Sequence, residues 1–306
     1  MTTEPGVAEA KPTNIFIGSK GLRAGWGILL FIAVFSALGF GTWFVMHSMK
    51  IQMPHDGGQM APNSVIFGEG LQAAMLVLAT LITAAIERRP LGQLGLGGTN
   101  AVPRFLQGLV VGFLMLSGLI GLLYVTHAIV IDKIAPLNQE TLTYGGLWFI
   151  AFLLVGITEE FMFRTYLQQT IGRGINYIVA AVIMGGLFMF AHTGNHGETP
   201  IGLGLVFAAG LLFTVSVWRT GTIWWAVGFH AAWDWAQSYF YGTPDSGLTN
   251  IGTLMTSHPQ GAEWLSGGTT GPEGSVLAIA AMLLSAVVIW VMAPKQDVKL
   301  DMKLWF

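Results

Sequence analysis

Between Ala24 and Met46 the chain runs 23 residues without a charged side chain, and seven more such apolar stretches follow. They lie at about Ile66 to Ile86, Phe105 to Ile131, Tyr144 to Thr170, Tyr177 to Ala191, Ile201 to Val217, Thr222 to Tyr241 and Ser275 to Ala293, and only three of them hold an Asp, Glu, Lys or Arg. A helix needs about 20 apolar residues to cross a bilayer, so the pattern predicts an all-α, polytopic membrane helix bundle of about eight spans. Charged residues make up 10% of the chain, against roughly 25% in soluble domains. Too little polar surface remains to face water, and a soluble globular enzyme is excluded.

The positions of Lys and Arg orient such a bundle, because basic residues concentrate in cytoplasmic segments. With eight spans and both termini cytoplasmic, twelve of the fourteen fall inside: Lys11, Lys20, Arg23, Arg88, Arg89, Arg104, Arg164, Arg173, Arg219, Lys295, Lys299 and Lys303. Lys50 and Lys133 fall outside. The expected organisation is therefore a cytoplasmic tail over 1–23, one transmembrane domain over 24–293 and a second cytoplasmic tail over 294–306. The first run is too long for a signal-peptide core and reads as an uncleaved span. The glycine-rich stretch 242–274 has no Lys or Arg and reads as an outer loop cap. With 14 basic against 16 acidic residues there is no patch for nucleic acid. The absence of cysteine excludes disulfides, zinc-thiolate sites, iron–sulfur clusters and thiol nucleophiles. Gly108 and Gly112 form a small-residue pair of the kind that lets helices pack closely.

Charges inside apolar runs cost at least about 2.5 to 3.5 kcal/mol each by insertion scales, so they mark functional positions. The fourth run carries Glu159, Glu160 and Arg164. On a helix Glu160 and Arg164 share a face, acid first, the favourable order for an ion pair. Glu159 points about 100° away and is left for another role, that of a general base. The fifth run ends at His192, and the seventh places His230 and Asp234 on one face. An imidazole opposite an unpaired carboxylate can position and deprotonate a water, and donors on a neighbouring helix can hold an oxyanion. Taken singly, the Glu160–Arg164 pair reads as a structural clip and His230 as a packed core histidine; it is their conjunction that points to a hydrolase. His47, His55, His127, His196 and His258 fall at span ends or in loops. His196 stands four residues after His192, a metal-capable spacing on a helix, but Gly194, Asn195 and Gly197 favour a loop. Trp224, Trp225, Trp233 and Trp235 read as interfacial belt and bundle packing, with the lining of a lipid-like substrate groove as the alternative for some of them.

Glu159-Glu160-x-x-x-Arg164, Phe188-x-x-x-His192 and His230-x-x-x-Asp234, in this order on successive helices, resemble the motifs of the CAAX protease and bacteriocin-processing (CPBP, or Abi) family of intramembrane proteases. The approach Thr220-Gly221-Thr222-Ile223-Trp224 is also similar. The resemblance covers about residues 145–240. It implies hydrolysis of a peptide bond in a membrane-embedded or lipidated peptide or protein, in the lipid bilayer of a bacterial or archaeal cytoplasmic membrane, by a water that glutamate activates. By resemblance Glu159 is the base and His192 its partner on the water. Glu160 orients or ionises His192, in competition with Arg164 unless it does both, and His230 and Asp234 stabilise the oxyanion; Arg164 and Phe188 support the site. The commonest pattern has Asn where this chain has Asp234. An ionised Asp234 repels an oxyanion, so it must be protonated there or act by orienting His230. No cofactor is expected. If a metal such as zinc took part, its ligands would be Glu159, Glu160, His192 and His230, although no H-E-x-x-H helix is present. His192 lies at the outer end of a straight fifth span, which requires a kink at Gly185-Gly186 or shifted boundaries to bring it to the others. The alternatives in other classes are an ion-coupled transporter with a Glu/His/Asp relay, disfavoured by the lack of inverted repeats, and a silent membrane scaffold.

Overall fold

The computed structural model describes residues 14–51, 59–97, 100–195 and 197–293. Both expected tails, 1–13 of the first and all of 294–306, lie outside the described residues, as do His55 and His196. The chain opens with a two-stranded hairpin, β1 (Ile17–Gly18) and β2 (Gly21–Leu22), followed by helices α1 (Ala24–Ser48), α2 (Pro62–Glu87) and α3 (Ala101–Val125). Strand β3 (Ile129–Ile134) precedes α4 (Gln139–Arg164), α5 (Tyr166–Gly174), α6 (Tyr177–His192), α7 (Pro200–Thr220) and α8 (Trp224–Trp235). A π-helical turn (Ala236–Phe240), strand β4 (Met255–Pro259), the short α9 (Glu263–Ser266) and α10 (Leu277–Met292) complete it.

Each of the eight apolar runs coincides with a helix. Ala24–Ser48, Pro62–Glu87, Ala101–Val125, Gln139–Gly174 and Pro200–Thr220 are long and apolar enough to cross a membrane, while Tyr177–His192 and Leu277–Met292 are shorter apolar helices. The described residues are thus mostly helical, with five long apolar helices and two short ones among them, the pattern of a polytopic membrane protein. The helix starts follow local chemistry. Asn138 and Thr141 form a reciprocal capping box at α4, Asn176 caps α6 through Val179 N–H at 2.8 Å, and Thr199 caps α7 ahead of Pro200. Two expected extents change. The third run leaves the helix at Val125, because Ile129-Val130-Ile131 is β-branched and pairs antiparallel with β4, Val130 opposite His258. The stretch 242–274 is therefore not a plain loop: it is tied to the molecule through β4. The fourth run breaks at Thr165, whose hydroxyl donates back to the Phe161 carbonyl at 2.5 Å.

Helix α8 lies at the centre, with ten of its residues buried. Glycines let its neighbours reach its backbone. A Cβ on Gly108 of α3 would fall on the Trp225 carbonyl, one on Gly112 on the Phe229 carbonyl, and one on Gly228 of α8 on the Phe105 carbonyl. The Gly108/Gly112 pair is thus a helix-crossing surface. Replacing Gly228 by Ala is expected to cost about 1 to 3 kcal/mol through overpacking. Ala at Gly118, where a Cβ meets nothing within 4 Å, leaves stability unchanged or raised. Thermal unfolding in detergent checks the contrast, and equal melting points would show that the crossing can open.

The basic residues cluster where helix ends meet. Arg173 bonds the Leu22 carbonyl and reaches Glu87 at 3.3 Å, and Arg89 donates to Thr170 at 2.8 Å. Arg219 caps the end of α10 through the carbonyls of Trp290 and Ala293, which Arg104 joins at Met292. The opposite end of the bundle carries β3 and β4.

Candidate active site

The three ordered motifs converge on His230. Its Nδ1 lies 3.3 Å from Glu160 Oε1, and its Nε2 lies 3.4 Å from both Glu159 Oε2 and Asp234 Oδ2. Glu160 turns its other oxygen to Arg164 Nε at 3.4 Å, and both of these side chains are fully buried. The predicted same-helix pairs, Glu160 with Arg164 and His230 with Asp234, are therefore present. Helical spacing does not foretell that one imidazole gathers all three carboxylates, since Glu160 and His230 are 70 residues apart.

Glu160 does act on two partners, but the histidine it meets is His230 rather than His192. The Nδ1 of His192 instead faces the Phe188 carbonyl one turn back in α6 at 2.9 Å, and Glu198 lies close enough for its charge to act on His192. Burial raises the Glu198 carboxyl above its usual range. His192 nevertheless borders the same cavity as Glu159, His230 and Asp234, about 490 Å³ in volume. Helix α6 continues unbroken through Gly185-Gly186 and ends one residue beyond the expected boundary. The cavity itself extends from His230 to His192 and Asn195, so neither a kink nor a large shift in boundaries is needed for both histidines to line it.

Arg164 is held among three rings. Its Cζ lies 4.5 Å from the centroid of Phe188, 5.4 Å from Phe213 and 5.5 Å from Phe163. Phe188 also packs edge-on to His192 at 4.8 Å, which explains why the phenylalanine belongs with the polar motif.

Further residues line the cavity that the motif spacing leaves unmarked. Glu69 of α2 borders Thr158 and Glu159. From the stretch 242–274 come Asp245, Ser246, Leu248 and Glu273. Glu273 accepts from Trp233 Nε1 at 2.9 Å and from the Ser246 hydroxyl at 3.1 Å, and Asp245 accepts from Ser238 at 2.7 Å. Burial, with Asp234 and Glu273 nearby, pushes the Asp245 carboxyl well above its usual range. A usable signal was present: these acids sit in a stretch without a Lys or Arg to neutralise them.

The set a metal would take does not converge as a ligand shell. Both nitrogens of His230 already face carboxylates, His192 faces its own helix, and no group of three or more His, Asp or Glu among the described residues has metal-binding placement. Of the remaining histidines, His47 stacks on Trp43 and His258 pairs with Asp132 at 2.6 Å on the β3–β4 ladder, away from the cavity.

No curated protein matches the chain. Residues 141–236 match the model of the type II CAAX prenyl endopeptidases of Rce1-like type, a segment that holds Glu159, Glu160, Arg164, Phe188, His192, His230 and Asp234. Over residues 141–236 the chain is therefore similar to the Rce1-like type II CAAX prenyl endopeptidases.

Proposed function

We propose that the chain is an intramembrane endopeptidase that hydrolyses a peptide bond of a membrane-embedded or lipidated substrate with a water activated by Glu159. The observation that carries this reading is the single cavity that Glu159, His192, His230 and Asp234 all line. Glu159 takes a proton from a water that His192 helps to orient, and the water oxygen bonds to the carbonyl carbon. The resulting oxyanion is met by the Nε2 side of His230 and by a protonated Asp234. Glu159 passes its proton to the amide nitrogen, the C–N bond breaks, and the products separate as carboxylate and ammonium. Glu160, fixed by Arg164, holds His230 from behind through Nδ1.

The wider reading places the eight helices across a bacterial or archaeal cytoplasmic membrane with both termini inside, in agreement with the meeting of the described basic residues at helix ends. The direct test is cleavage of a quenched, membrane-anchored peptide by the purified protein in vesicles, with the products identified by mass. Asp234→Asn keeps a donor and is expected to stay within about tenfold of wild type, whereas Asp234→Leu loses about 10² to 10³ in kcat. Complete loss in the Asn variant removes Asp234 as a donor.

A further inference from the structure

Helix α7 supplies no ionisable group to the cavity, yet its Phe213 touches two of the groups that matter there. The Phe213 ring stacks on His230 with centroids 5.3 Å apart and planes 24° from parallel, and the Arg164 guanidinium lies 5.4 Å from the same ring. Phe229 meets it edge-on at 5.7 Å, and only 3% of Phe213 is exposed. One turn earlier, a Cβ on Gly210 would stand 3.0 Å from Gly185 Cα and 3.5 Å from an Arg164 nitrogen. The backbone of α7 is thus drawn close to α6, and the ring sits among His230, Arg164 and Phe229.

An imidazole presents its two nitrogens in its own plane, so rotation about its Cβ–Cγ bond would carry both away from their partners. A parallel ring against one face blocks that rotation, and the edge of Phe188 stands 6.2 Å from His230 at 87°. We propose that Phe213 is a positioning residue of the reaction: it fixes the plane of His230, so that Nδ1 stays on Glu160 while Nε2 faces Glu159 and Asp234, and it confines the Arg164 cation that holds Glu160. This rests on the hydrolytic reading of the site.

The test is steady-state cleavage of the quenched peptide by the full chain in vesicles, with melting temperature measured in parallel. Phe213→Leu keeps apolar bulk and loses the ring. A misplaced catalytic group costs up to about 10²-fold, so kcat is expected to fall about 10- to 100-fold. KM stays within about twofold, because ground-state binding is untouched. Phe213→Tyr keeps the ring and restores kcat to within about threefold of wild type. Leu212→Ala, a buried packing change beside it, lowers the melting temperature and leaves kcat unchanged. Should Phe213→Leu fail to fold, Phe213→Met carries the same expectation. The proposal is overturned if the folded ringless variant keeps wild-type kcat, if its loss lies in KM alone, if folded Phe213→Tyr is equally slow, or if Leu212→Ala loses as much kcat. Absence of cleavage by the wild-type chain would instead overturn the hydrolytic reading, a separate result.

Discussion

Glu159→Gln is expected to abolish cleavage, lowering kcat by at least about 10³- to 10⁴-fold, while the protein folds normally. The amide has the size of the carboxylate and can still accept from His230 Nε2, 3.4 Å from the carboxylate in the native site. What it cannot do is take a proton from water, and the adjacent acid, Glu160, is fully buried between Arg164 and His230. Cleavage by the wild-type protein is expected to be insensitive to chelators. Residual cleavage near the wild-type rate, with the products unchanged, would reject Glu159 as the base.

Arg164→Met should be the most destabilising single change at the site. Removing one partner of a buried ion pair leaves the other charge without compensation and costs about 3 to 5 kcal/mol, and Glu160 has no exposure to water. The three rings around the guanidinium would then face an ether-like side chain in place of a cation. The double variant Glu160→Gln with Arg164→Met carries no orphan charge and is expected to recover most of that stability without recovering activity, because His230 loses its anionic support. Unfolding in denaturant measures both variants. If single and double variants are equally unstable, the pair is not what holds this part of α4.

The helices were legible because an apolar run of about 20 residues has the length and polarity of a span, and each of the eight runs holds a helix over all or most of its length. The pairs within a helix, Glu160 with Arg164 and His230 with Asp234, were legible because the helical period fixes them locally. Contacts between helices were not. Nothing in the spacing of α4 and α8 says that Glu159 and Glu160 bracket one imidazole on different nitrogens, or that Phe213 of α7 lies on its face. Ile129 to Ile131 misled for another reason: in an apolar chain a short β-branched strand looks like the end of a span until a partner strand is known. The acids of 242–274 lay hidden in a stretch whose glycines drew the reading toward a passive loop.

The backbone contact of α3 with α8 limits what can be cut out of this molecule. The segment that matches the protease family begins at residue 141, yet the helix bearing His230 and Asp234 is seated on α3, which precedes it, and Glu69 and Glu273 reach the cavity from either side. A fragment limited to the matched residues would carry every motif and still leave α8 with one flank bare. The matched segment is therefore shorter than the unit that builds the candidate site, and inheritance of that site requires the surrounding helices to be inherited with it.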